Sequence, residues 1–173
     1  MSDNPTLAWW FAAGDTLPNE DGRKIVVGER LTVPGPLVLC QHGLHGSIRC
    51  LDALGYAPGQ WLHRTRHAGE ILVDGDKLCS TARTVLARVD FTAQLRLFAR
   101  QCAADVLHLW EAPQVVRDYL ATGDETLRPA ARAAAWAAGD AAWAAARAAA
   151  RAAAWEEQNR TLEQMAMELI DAR

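Results

Sequence analysis

The spacing of apolar and polar positions changes once along the chain. Up to about residue 90, short apolar or alternating stretches are separated by turn signals every 8 to 12 residues or so. Residues 7–12 form an apolar run that stops at Gly14-Asp15. Residues 23–27 are β-branched and follow the turn Asp21-Gly22. Residues 30–33 resume after Gly28, and residues 37–40 follow Pro34-Gly35-Pro36 as a candidate buried strand. Residues 42–47 read as a glycine-punctuated loop. Ser47 is placed to N-cap a helix over 48–56 that Pro58-Gly59 ends. Residues 61–66 alternate with period two, and 71–73 and 84–89 are further strands on either side of the turn Asp74-Gly75-Asp76.

From Phe91 onward Gly and Pro become scarce and the period becomes helical. Asp90 is the N-cap expected for a helix over 91–110, with Leu95, Phe98, Cys102, Val106 and Leu109 on one stripe. Pro113 at a first helical position opens a short helix that ends near Gly123. The pattern then continues over 126–170. A helix of that length would span roughly 67 Å, against about 30 Å for a small domain. It is therefore expected either to break at Gly139-Asp140 or to project. The predicted fold class is α+β: a β-rich unit over 1–90, a helical segment over 91–123 packed on it, and an Ala/Trp/Arg-rich helix or helical pair over 124–173.

Composition narrows the functional classes. The 173 residues carry 18 Lys+Arg against 21 Asp+Glu, a net charge of −3, which makes nucleic acid an unlikely partner. No apolar run reaches the roughly 18 residues of a membrane span, so no membrane role is expected. The first residues lack the basic and apolar regions of a secretory signal. The four cysteines, Cys40, Cys50, Cys79 and Cys102, read as free thiols of a cytoplasmic protein.

Residues 130–155 hold 18 Ala among 26 positions. On a helix the other eight residues fall within one sector of roughly 160° and leave a bare Ala face. Arg132/Trp136, Trp143/Arg147 and Arg151/Trp155 are i,i+4 pairs that can stack guanidinium on indole. The Trp rings are expected as core or dimer anchors, with Leu162, Met165 and Leu169 forming a further partner stripe. Homo-oligomerisation through this C-terminal helix is the expectation.

Candidate chemistry concentrates at Cys40-Gln-His42-Gly-Leu-His45-Gly-Ser47. Cys40, His42, His45 and Cys50 are soft N/S donors, but their spacing matches no zinc finger, and no metal is expected. Nucleophile elbow, P-loop and GxGxxG are absent. The stretch 43–47 entering a helix offers backbone N–H groups as a seat for an anion. Trp9 and Trp10, adjacent on a strand, must point to opposite faces. Arg83 on a strand is a candidate phosphate ligand or a surface ion pair. His63 and His67 are expected on an exposed strand.

Two resemblances follow from these residues. The block from Val38 to Ser47, then Leu51-Asp-Ala-Leu-Gly-Tyr-Ala-Pro-Gly59, Ala68-Gly-Glu-Ile71 and Asp76-Lys77, resembles an uncharacterised family common in phages and actinobacteria, including its Ala/Trp/Arg-rich tail. More distantly, Gly28-Glu-Arg-Leu31, Gly43-Leu-His45, Tyr56 and His67-Ala-Gly-Glu70 are similar in order to the ADP-ribosyltransferase fold of the rifampin-modifying and poly-ADP-ribose-polymerase type. That resemblance places His45 and Tyr56 at the two nicotinamide-side tyrosine positions. It places Trp10 where the family has its ribose-binding histidine, and it leaves Asp74 and Asp76 as the nearest acids.

The implied function is a phage-type protein that binds a nucleotide-like ligand without turnover, an NAD or ADP-ribose derivative or a signalling nucleotide, in a bacterial host's cytoplasm. Countering host immunity would suit such a binder. The alternatives are an active ADP-ribosyltransferase and an interaction module acting through the helical tail. No cofactor is required in the leading reading. The ligand-binding residues expected are His45, Tyr56, Trp10, Ser47 and Arg83, with His45 and Tyr56 bordering one concavity.

Overall fold

The computed structural model describes residues 5–18, 21–139, 143–144, 147 and 152–173. It is α+β, with the strands in the first part of the chain and helices dominating the last third. The chain divides into two compact units, one of residues 1–92 with 162–173 and one of 93–161. The segment 124–173 is not a separate piece, however, because its last twelve residues belong to the first unit.

The first unit is built on five antiparallel strands: β1 (Thr6–Ala12), β2 (Arg30–Thr32), β3 (Leu44–Gly46), β4 (Trp61–Asp74) and β5 (Lys77–Asp90). The long hairpin β4–β5 turns at Gly75-Asp76, where Gly75 takes φ +59°, a value that suits a residue without Cβ. β1 pairs with β4, and both β2 and β3 pair with the far edge of β5. Ser47, just after β3, then reaches β1: Trp9 N–H donates to the Ser47 carbonyl (2.7 Å), and Ser47 N–H donates to the Trp9 carbonyl (2.9 Å). The path β1–β4–β5–β3 thus returns to β1, and the sheet closes on itself.

Gly46 permits this closure. A Cβ there would lie 2.9 Å from His67 Nε2 and 3.2 Å from the Trp9 carbonyl oxygen, too close for any side chain. Several expectations change here for one reason. Residues 42–47 are not a loop, since β3 forms within them, whereas 37–40 is a turn held by a Val38–His42 bridge. Residues 23–27 make only isolated bridges. Strand formation followed available edges rather than β-propensity.

One face of the ring carries Trp9, Phe11, Leu62, Val89 and Phe91, all buried. The short helix α1 (Cys50–Gly55) contacts β1. Ser47 does not cap it: the N-cap position is Arg49, whose side chain does not bond the helix's first N–H groups. Instead Glu163 Oε1 accepts the Cys50 N–H at 3.1 Å. Glu163 lies on the last helix, α5 (Ala152–Asp171), in the part that belongs to this unit. There Leu162 and Ala166 are fully buried, and Met165 and Leu169 are half-buried. The stripe expected to meet another copy is used within the chain. The opposite face of the ring holds Ala12, Leu17, Ile25, Leu31, Leu44 and Val85 as one apolar cluster, with Trp10 and Trp61 against it.

The second unit is helical. α2 (Thr92–Asp105) starts next to Asp90, whose Oδ1 accepts from the Thr92 N–H (2.9 Å) and hydroxyl (2.6 Å), close to the expected cap. α3 (Gln114–Thr122) follows Pro113 and ends at Gly123, φ +69°, as the sequence predicts. α4 (Arg128–Ala137) stops before Gly139, φ +57°, where the break is expected. α5 is Ala152–Asp171. Ala112, Val116 and Ala131 form the small core of this unit. Trp136 is 78 % exposed and Trp143 60 %, so these rings are not core. Among the described residues neither stacks on an arginine. Arg151, of the third expected pair, lies outside the described residues.

Replacing Leu162 with Ala removes a fully buried side chain from the first unit. The expected loss is about 2–5 kcal/mol of unfolding free energy, read by urea denaturation. A loss below about 1 kcal/mol would contradict the placement of the last twelve residues in that unit.

Candidate ligand-binding site

β1 sets the geometry. Successive side chains on a strand point to opposite faces. With Trp9 buried at 2 % exposure under the Arg64 guanidinium (4.3 Å to the ring centroid), Trp10 turns to the other face. There the register places it opposite His63 of β4, and the two rings lie 4.8 Å apart at 36°. The Arg83 guanidinium covers Trp10 at 3.9 Å, and its Nη1 donates to the His45 carbonyl (2.8 Å). One indole is thereby held by an imidazole and a guanidinium, a cation–π arrangement made stronger by desolvation.

His45 on β3 is half-buried. Its Nε2 accepts the Cys40 N–H at 3.0 Å, so the ring proton sits on Nδ1. Cys40 takes φ +64° to make this bond, a left-handed conformation that costs a residue with a Cβ about 1–2 kcal/mol. Tyr56, at the C-terminus of α1, is 53 % exposed. Its hydroxyl donates to the Asp76 carboxylate (2.8 and 2.9 Å), and Lys77 Nζ lies 5.3 Å from its ring.

Trp10, His45, Ser47 and Tyr56 line one cleft of about 710 Å³, together with Leu17, Pro18, Cys40 and Lys77. Arg83 is not on that wall. It lines a smaller adjoining cleft of about 200 Å³ that shares Trp10, Leu17, Pro18 and His45 with the first. Four of the five expected residues therefore surround one concavity, and the fifth stands behind its central ring. Of the backbone N–H groups over 43–47 expected to seat an anion, that of Ser47 is taken by the Trp9 carbonyl.

The electrostatics are those of buried cations and neutral imidazoles. Arg83 is 2 % exposed, so it is no surface ion pair; burial, with Arg23 adding repulsion, lowers its pKa to about 9. Among the described residues no carboxylate pairs with it, and its Nε has no partner. His63 and His67 are fully buried, not exposed as the alternation predicts. Burial lowers them to about 4 and about 3. Burial, then Arg83, also lowers His45. No group of three His, Cys, Asp or Glu among the described residues could hold a metal ion. Cys50, one of the donors considered for metal, is buried and its thiol pushed up by desolvation.

Cys40, Lys77 and His63 join the site without having been singled out for it. Period two on β4 puts His63 with Trp61 and Thr65, but only the pairing register brings it to Trp10. Comparison of the chain with protein-family models, curated proteins and solved structures gives no match.

Because the folded pKa of His63 and His67 lies below the ordinary 6.5, the unfolded chain binds more protons as pH falls below that value. Their contribution to stability is complete above about pH 6.5 and is lost progressively as pH falls toward about 4 and 3. The ring C–H resonances of both residues are expected to stay fixed between about pH 7 and pH 5. A midpoint near 6.5 for either would refute their burial in neutral form.

Proposed function

We propose that the first unit binds a nucleotide-like ligand in the larger cleft without turning it over. The observation that carries this reading is the fixed Trp10 ring, with His45, Tyr56 and Lys77 around the same space. A planar base or nicotinamide gains roughly 1–3 kcal/mol by stacking on such a ring. A rigid aromatic held from behind loses little entropy on contact.

The reading favours binding over transfer because no Asp or Glu lines the cleft among the described residues. An oxocarbenium-like transition state requires a carboxylate aimed at the developing charge. Asp76, one of the two acids nearest in sequence order, accepts the Tyr56 hydroxyl instead. The order of motifs shared with ADP-ribosyltransferases supports a reduced, catalytically inactive relative of that fold. The phage-type resemblance favours capture of a host signalling nucleotide.

Equilibrium dialysis with ADP-ribose and NAD is expected to show saturable binding, weakened about tenfold or more by Tyr56→Ala, with no nicotinamide released. Nicotinamide release would replace this reading with an active transferase. Absence of binding by both compounds would end it.

The exposed rings of Trp136 and Trp143 favour a second reading, self-association through the alanine segment. Light scattering at high micromolar concentration is expected to give a mass above the 18.9 kDa of one chain. A monomeric mass refutes it.

A further inference from the structure

The smaller cleft has chemistry that the stacking site does not use. A guanidinium transferred out of water needs a compensating charge or a full set of acceptors. Arg83 has neither among the described residues: one bond to the His45 carbonyl, one aromatic face, an Nε without acceptor and no paired carboxylate. Asp21 does stand on the wall of this cleft, but its two oxygens are held by Arg23, at 2.6 Å from Nε and 2.7 Å from Nη2. Arg23 in turn donates to the Thr32 carbonyl. Among the described residues, the acid on this wall is thus already neutralised by another arginine.

Gln41 and His42 complete the polar part of the lining. Both are exposed, and His42 Nε2 lies 2.6 Å from the Pro34 carbonyl, so that nitrogen carries a proton. Trp10 and His45 are the partition between the two clefts, lining both.

We infer that the small cleft is an anion subsite, in which Arg83 receives a phosphate or diphosphate group. The ring attached to that group lies across Trp10 in the larger cleft. This deepens the nucleotide reading and rests on it for the ring, but not for the anion. The anion supplies the charge that the buried guanidinium lacks, and planar donors suit its oxygens. The donor chemistry of this cleft, not its volume of about 200 Å³, assigns it to the anion and leaves the ring to the larger cleft.

The test uses the full chain and inorganic pyrophosphate as probe. The Nε–H resonance of Arg83 is followed by ¹H–¹⁵N NMR, and affinity by calorimetry. The expected result is a saturable shift of the Arg83 signal and binding weakened about tenfold or more by Arg83→Met. Should that variant not fold, the wild-type resonance together with Gln41→Ala, at an exposed position, decides the matter. An unmoved Arg83 signal, or equal affinity in folded Arg83→Met, overturns the proposal.

Adenosine and ADP-ribose separate this inference from the reading above. If pyrophosphate moves Arg83 while neither nucleoside compound binds, the anion subsite stands and the nucleotide reading fails. If adenosine binds and pyrophosphate leaves Arg83 unmoved, the nucleotide reading stands and the subsite fails. Competition between pyrophosphate and ADP-ribose supports both and assigns the anion to a nucleotide rather than to free phosphate.

Discussion

Two backbone hydrogen bonds between Ser47 and Trp9 govern the architecture of the β-rich unit. Without them β1 would be an edge strand with open N–H and C=O groups, and β3 would hang from β5 alone. With them the strands form a closed path, the arrangement that removes the liability of free edges. Closure also assigns the two tryptophans. Trp9 goes to the buried face with Phe11, and Trp10 to the face that carries the apolar cluster of Leu17 and Leu44 and the smaller cleft. The tight approach at Gly46 is the steric condition for both.

The second organising feature is the placement of arginines on indoles. Arg64 lies on Trp9, Arg83 on Trp10 and Arg88 on Trp61, and each has a buried nitrogen without an acceptor. The three do not stand in the same surroundings. Arg64 has Glu163 close enough to favour its charge, and Arg88 Nη2 donates to the Gly14 carbonyl. Arg83 is the most deeply buried and faces a cavity. Cation–π contact offsets only part of the desolvation of a guanidinium. An incomplete electrostatic environment beside an open space is a common mark of a functional position.

The sequence revealed the elements better than their partners. Turn chemistry placed Gly75, Gly123 and Gly139, because a positive φ is a local demand that selects glycine. The N-terminal signal at Asp90 was equally local. β3 was hidden: Leu44-His-Gly46 has little β-propensity, and it is a strand because β5 offers an unpaired edge. His63 and His67 were misjudged for a related reason. Alternation assigns the face of His63, Thr65 and His67 to solvent, but a closed sheet has an inside, and these three are buried there. His45, Tyr56 and Trp10, which motif order singles out, line one cleft. The retreat of Arg83 behind Trp10, and its separate cleft, depended on register and could not be read from spacing.

The bond from Cys50 to Glu163 joins positions 113 residues apart, and Leu162 and Ala166 lie wholly inside the same unit. The β-rich unit is therefore discontinuous: its first ninety-two residues are finished by a segment made after the whole helical unit. During synthesis the strands leave the ribosome with one apolar side uncovered until residues 162–173 follow. The clefts are carried by a body that becomes whole only after residues 162–173 have been translated.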